Sequence, residues 1–208
     1  YTQGERFQNV RPQPRAPIAH RVRKEFLVND DLEVLDAMYL KLFGKDLGLS
    51  EDVKWQAVTH KTFDHGRQPF NSKLKFLGKR LLQTQISIHL LSVPLKGGPK
   101  EPKPSVYKSL EGSLYQNPEP FVHEDYKSLE NITGARIEGL MSESRLMPLI
   151  EEVGLPNVMR WKPAEISDLK RSGQQPVALE CLFAITGAVA LQKGGDVAVQ
   201  FIRDRILT

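Results

Sequence analysis

Cysteine is almost absent from this chain of 208 residues. The single example, Cys181, excludes an internal disulfide, and it leaves no Cys/His set at metal-ligand spacing. Long apolar runs are missing too. None approaches the roughly 20 residues of a spanning helix, and "LLQTQISIHLLSV" is broken by Gln, Ser and His. The expectation is a chain that is not embedded in a membrane. Acidic side chains are scarce at one end. The first 24 residues hold Glu5 alone against Arg6, Arg11, Arg15, Arg21, Arg23 and Lys24, a net charge of +5. A Pro-containing, Gln-rich arm of this kind cannot build a core. It reads either as a solvated tail or as a segment whose partner is a polyanion such as nucleic acid.

What remains is ordinary. With 40% hydrophobic and 26% charged residues, the chain has the composition of a soluble protein with one main domain and a sizeable core. Beyond the arm, 184 residues carry 23 basic and 24 acidic side chains, so on this count the net positive charge lies in the arm. The chain begins at Tyr1, not Met, which suggests a removed leader or a missing disordered start, a cleaved organellar transit peptide being one cause.

The organisation follows from periodicity and punctuation. Residues 1–28 are expected to be a basic extended arm and 29–208 a helical domain. "NDDLEVLDAMYLKLFG" has acids in its first turn, apolar residues at Leu32, Leu35, Met38, Tyr39 and Phe43, and Gly44 as a stop. Ser50 is placed to cap a short helix, "EDVKWQAVTH". A longer helix is expected from about 71 to 91, with Leu74, Leu77, Leu81 and Leu82 at helical spacing. Residues 92–130 change texture: six prolines, three tyrosines and adjacent Gly97 and Gly98 read as an extended Pro/Tyr-rich insertion, not as a second domain. Helical pattern resumes from about 135 with "ARIEGLMSESRLMPLIEEVGL", returns from 176 to 192, and ends in "DVAVQFIRDRIL". No strand alternation or internal repeat is sustained. The fold class is all-α.

"THKTFDHGRQPFNSKLKFLGKRLL" resembles the signature of ribonuclease III domains, which reads T-H-[KR]-S, a short loop, then N-E-x-L-E-F-L-G-D-A-x-L on a helix. Thr59, His60, Lys61, Asn71, Leu74, Phe76, Leu77, Gly78 and Leu82 match. Downstream, "EGLMSESRLMPLIEEVGL" and "PVALECLFAITGAVALQKGG" are similar to the family's later helices, so the resemblance spans roughly residues 30–208 with the insertion as an interruption.

Family catalysis uses carboxylates because Mg²⁺-assisted phosphodiester hydrolysis needs hard oxygen ligands and an activated water. Carried over residue by residue, the family's acidic positions fall on Ser72, Lys75, Lys79, Glu180 and Phe183. On the two carboxylates of E-F-L-G-D this sequence has lysines. The resemblance therefore implies a degenerate site with no catalytic residues, no metal and no cofactor. Read without it, Lys75 and Lys79 are a solvated basic face, Phe76 and Phe183 are core aromatics, and His60 and His65, five apart, are structural; with it, Glu180 is a polar residue surviving in the old site. The family adds a second possibility for Phe76, insertion into a socket on a partner domain at the dimer interface.

The resemblance is nearest to the degenerate ribonuclease III-like proteins of the fungal mitochondrial large ribosomal subunit. It implies a non-enzymatic pseudoenzyme in the mitochondrial matrix, binding ribosomal RNA and other large-subunit proteins and paired with a second ribonuclease III-like domain. RNA contact is expected from the arm and the insertion, because the expectation is that no double-stranded-RNA-binding domain follows the last helix. The alternative is a non-catalytic dimer partner within an RNA-processing ribonuclease III complex.

Overall fold

The computed structural model describes residues 26–93 and 128–207, so all but the last three residues of the basic arm and nearly all of the insertion lie outside the described residues. Among the described residues eight α-helices follow one another: α1 (Leu32–Phe43), α2 (Glu51–Val58), α3 (Ser72–Ser92), α4 (Gly134–Leu140), α5 (Glu143–Val153), α6 (Leu155–Val158), α7 (Gln174–Lys193) and α8 (Gly195–Phe201). A π-helical turn, Ile202–Ile206, continues α8. The one pairing of β type among the described residues is an isolated bridge between Thr59 and Arg160.

The helix ends follow local chemistry. The Asp31 carboxylate accepts from the Glu33 amide at 2.8 Å and starts α1, and Gly44 ends it in a left-handed conformation. Ser50 stands at the N-cap of α2 without a side-chain capping bond. Its hydroxyl instead accepts from the Gln192 amide at 2.6 Å, so the expected local cap is a link to the far end of α7. The helical stretch expected from 135 onward is two helices, because the chain turns at Met141 and Ser142 before α5 begins.

Packing centres on α7. Eleven of its residues are buried, from Val177 to Val189, and α2, α3, α5 and α8 surround it. This corrects one reading of the sequence: α7 is long and apolar enough to cross a membrane by length and composition. Its most apolar window is 61% buried within the fold, so it is the core helix. A scan for unbroken apolar runs missed it because Glu180 and Thr186 interrupt the run.

The α3–α7 contact is backbone on backbone. A β-carbon on Gly78 would lie 1.9 Å from the Phe183 carbonyl oxygen, and one on Gly187 would lie 2.2 Å from that of Leu74. Only glycine permits this approach. It brings the signature helix and the core helix to the separation at which side chains on either side of the crossing can meet.

Candidate functional site

Lys75 lies one turn before Gly78 on α3, and Glu180 lies one turn before Phe183 and Ala184 on α7. Close crossing of the two helices sets the Lys75 ammonium 2.9 Å from Glu180 Oε1. His60, from the segment after α2, approaches the other oxygen, with Nε2 at 3.5 Å from Oε2. The ring is mostly buried, and Nδ1 lies 2.9 Å from the Thr62 hydroxyl and 3.3 Å from its amide. The Thr62 amide can only donate, so Nδ1 is the acceptor and Nε2–H points at Glu180. The Thr62 hydroxyl also accepts from the Lys162 amide at 3.1 Å. A chain of contacts therefore runs from Lys162 through Thr62 and His60 to Glu180 and Lys75.

The carboxylate responds to these neighbours. Glu180 is held down to about 2 from an ordinary 4.5: the His60 hydrogen bond does most, burial opposes it, and the Lys75 hydrogen bond and charge add to the lowering. Both side chains of the ion pair stay about one third exposed, 30% for Lys75 and 33% for Glu180. Beneath it, Cys181 is fully buried, which pushes its thiol up to about 12 and makes it an inert packing group. Buried Asn71 donates from Nδ2 to the Ala57 carbonyl at 3.4 Å and to Cys181 Sγ at 3.5 Å, tying the start of α3 to α2 and α7.

The sequence-derived site residues separate into two groups. Lys75 and Glu180 come together, and Phe183 is 5% exposed, in the core as its bland reading had it. Ser72 opens α3, half-buried. Lys79 is exposed, one turn past Lys75, with no ion-pair partner among the described residues. A solvated face therefore describes Lys79 and not Lys75. Phe76 overturns the core reading: it is 64% exposed, with the Arg80 guanidinium 5.5 Å from its ring. The inward stripe of α3 is Leu74, Gly78, Leu82 and Ile86, and residue 76 falls on the opposite side of the helix. Arg6, Arg11, Arg15, Arg21, Arg23 and Lys24 lie outside the described residues.

Sequence reasoning gave His60 no partner and did not single out Arg160. The Arg160 guanidinium stacks 3.8 Å from the Trp55 ring centroid and pairs with Asp30 at 2.7 Å. Nothing local in the sequence announces either contact. His60 and Glu180 are 120 positions apart, and Trp55 and Arg160 are 105 apart.

A ribonuclease-III-like family model matches residues 50–208, which is most of the chain and all of the site. The chain belongs to the ribonuclease-III-like family. It is 34% identical over 187 residues to the large ribosomal subunit protein mL57 of Neurospora crassa, a match covering 89% of this chain and 66% of that protein's length. Its fold is that of the nuclease domain of ribonuclease III from Campylobacter jejuni, with a TM-score of 0.54, 17% identity, and coverage of 86% of this chain and 95% of that one. A second structure of the Campylobacter domain, described for flexibility in a region involved in dimer formation, aligns with a TM-score of 0.52 at 16% identity.

The divalent cation used by nucleases of this family does not fit the residues present. Among the described residues, Glu180 is the single carboxylate at the α3–α7 crossing, and it already receives the Lys75 ammonium. An incoming Mg²⁺ would meet a fixed positive charge where it needs oxygen ligands.

Proposed function

We propose that this chain is a structural constituent of the large subunit of the mitochondrial ribosome, in which a ribonuclease-III-like domain is kept as a building block without its chemistry. The observation that carries the reading is the ammonium of Lys75 at 2.9 Å from Glu180, with Lys79 one turn further along the same helix. The resemblance assigns both lysines to acidic positions of the family, and it puts Ser72 and Phe183 on two more. One carboxylate held by a lysine does not bind a catalytic metal or activate water. Similarity to a fungal large-subunit protein supplies the setting, the matrix-side mitoribosome, with ribosomal RNA and neighbouring ribosomal proteins as partners.

In this reading the exposed Phe76 is an anchor for a second ribonuclease-III-like domain, and the flexible dimer-forming region described for the Campylobacter domain supports the idea of pairing. The arm, with Arg6, Arg11, Arg15, Arg21, Arg23 and Lys24, enters RNA by charge neutralisation. Density-gradient sedimentation of the native protein tests the assignment. Co-migration with the mitochondrial large subunit is expected. A small free complex containing an intact ribonuclease III subunit would instead favour a non-catalytic partner in RNA processing.

A further inference from the structure

The near-neutral charge of the chain beyond the arm conceals a segregation. Residues 59–83 hold Lys61, Arg67, Lys73, Lys75, Lys79 and Arg80 against Asp64 alone. Lys75 is committed to Glu180. Among the described residues, Lys61, Arg67 and Lys162 are exposed and have no carboxylate within ion-pair distance. We propose that the turn formed by residues 61–67, together with Lys162, is a second RNA-binding surface that grips backbone phosphates from the folded body. The inference rests on the ribosomal reading above and goes beyond it, because that reading gives RNA contact to the arm.

Four observations converge on this turn. The Lys162 ammonium lies 3.5 Å from His65 Nε2, so two basic groups from segments 97 residues apart meet with no acid between them. With Nε2 accepting from Lys162, the remaining ring N–H of His65 is a donor, and the pair offers an anion two hydrogen-bond donors.

Second, the frame under these side chains is rigid. The His60 amide donates to the Arg160 carbonyl at 2.8 Å, the Arg160 amide to Val58 at 2.9 Å, and the Lys162 amide to the Thr62 hydroxyl at 3.1 Å. Arg160 itself is clamped between Trp55 and Asp30, so its backbone holds Lys162 in register with the turn.

Third, Asp64 and His65 are consecutive non-glycine residues in the left-handed region, with φ of 43° and 53°. L-residues rarely adopt this conformation, and glycine would serve a mere connection better. Such backbone recurs where a side chain must be presented in a fixed direction. Fourth, none of the exposed large apolar side chains among the described residues lies in the turn itself. A protein partner would look for an apolar centre there, whereas a phosphate backbone needs only cations and donors.

Binding of the full chain to a duplex RNA of ~20 base pairs, followed between about 50 and 200 mM salt, tests the surface. The variant Lys61→Gln/Arg67→Gln/Lys162→Gln is compared with Lys45→Gln/Lys170→Gln/Lys193→Gln, which removes the same charge from exposed positions elsewhere. The first triple should flatten the log–log salt dependence by about one unit per lost phosphate contact and weaken binding roughly tenfold or more at the lower salt. The control triple should change both much less. If the first triple melts early, Lys162→Gln alone decides, with a change of about one unit. Equal behaviour of the two triples overturns the surface while leaving RNA binding by the chain intact. A wild-type chain that fails to bind RNA removes the ribosomal reading itself.

Discussion

Lys75 and Glu180 meet across the crossing of the signature helix and the core helix, Nζ to Oε1 at 2.9 Å, one turn from the point where Gly78 and Gly187 let the two backbones touch. The carboxylate is partly buried, and a buried charge without a partner costs several kcal/mol. A cation tethered to the chain compensates it with no loose ion to be lost, and His60 takes the second oxygen. The same residues that disqualify the site as a metal centre thus make it a cross-link.

Acid should weaken this cross-link. The folded value of Glu180 is lowered to about 2 from 4.5. Its contribution is therefore fully present above the ordinary carboxylate value and is lost as pH falls from about 4.5 through about 2. With one third of the side chain exposed and screened, we expect roughly 1 to 2 kcal/mol. Urea midpoints of the wild type and Glu180→Gln should converge between about pH 6 and pH 3. A gap that stays constant with pH would refute the coupling.

A double-mutant cycle isolates the pair. Coupling between Lys75→Met and Glu180→Gln should be about 1 to 2 kcal/mol, above the ~0.2 to 1 kcal/mol of exposed pairs. Lys79→Met and Glu180→Gln should instead be additive within about 0.5 kcal/mol, because Lys79 points to solvent. Equal coupling for both lysines would mean that the site is a diffuse basic field.

The helix crossing itself sets a sharper test. Gly78→Ala puts a methyl group 1.9 Å from the Phe183 carbonyl oxygen, a backbone atom that cannot rotate aside. The helices must separate, opening the core around Leu82 and Leu182. A loss of about 3 kcal/mol or more is expected, at the upper end for overpacking. Gly139→Ala, whose β-carbon would meet nothing within 4 Å, is the control and should change stability little or favourably. Similar melting of the two variants would contradict the close approach.

Helices α1, α3 and α7 were legible because leucines at helical spacing, acids in a first turn and a stop glycine are local signals. The spacing of Lys75 and Lys79 was legible for the same reason, since register is a property of one helix; that they stand on acidic positions of the family is what the resemblance implies. What each lysine does was not. The choice between Lys75 and Lys79 depends on the height at which α7 crosses α3, and that height is set by Gly78 against Gly187, residues more than 100 positions apart. Phe76 misled because an aromatic in an apolar helix suggests burial, while its angular position two residues from both Leu74 and Gly78 places it outward.

The chemistry of the site predicts that purified protein leaves duplex RNA uncut in the presence of Mg²⁺. Glu180 alone cannot assemble the oxygen ligands that hydrolysis requires. Incubation with labelled duplex, with and without Mg²⁺, reads the outcome directly. Mg²⁺-dependent cleavage at defined sites, abolished by Glu180→Ala, would reverse the conclusion.

The exposed Phe76 separates two roles by where its loss is felt. A core aromatic lowers monomer stability by about 3 to 5 kcal/mol when cut to alanine, but Phe76 is 64% exposed, with the Arg80 guanidinium 5.5 Å from its ring. Removing it should therefore change the melting of the isolated chain by no more than about 0.5 kcal/mol. As an interface anchor filling a pocket on a second domain, the same truncation should weaken association by about 2 to 4 kcal/mol. Sedimentation velocity across a concentration series, alongside thermal melting of the same samples, reads both quantities at once. Unchanged melting with a lost dimer fits an anchor. A dimer indifferent to Phe76→Ala would send the search for the partner's footprint to Ile88, Leu91 and Leu129, the other exposed apolar side chains on α3 and in the turn that packs beside it.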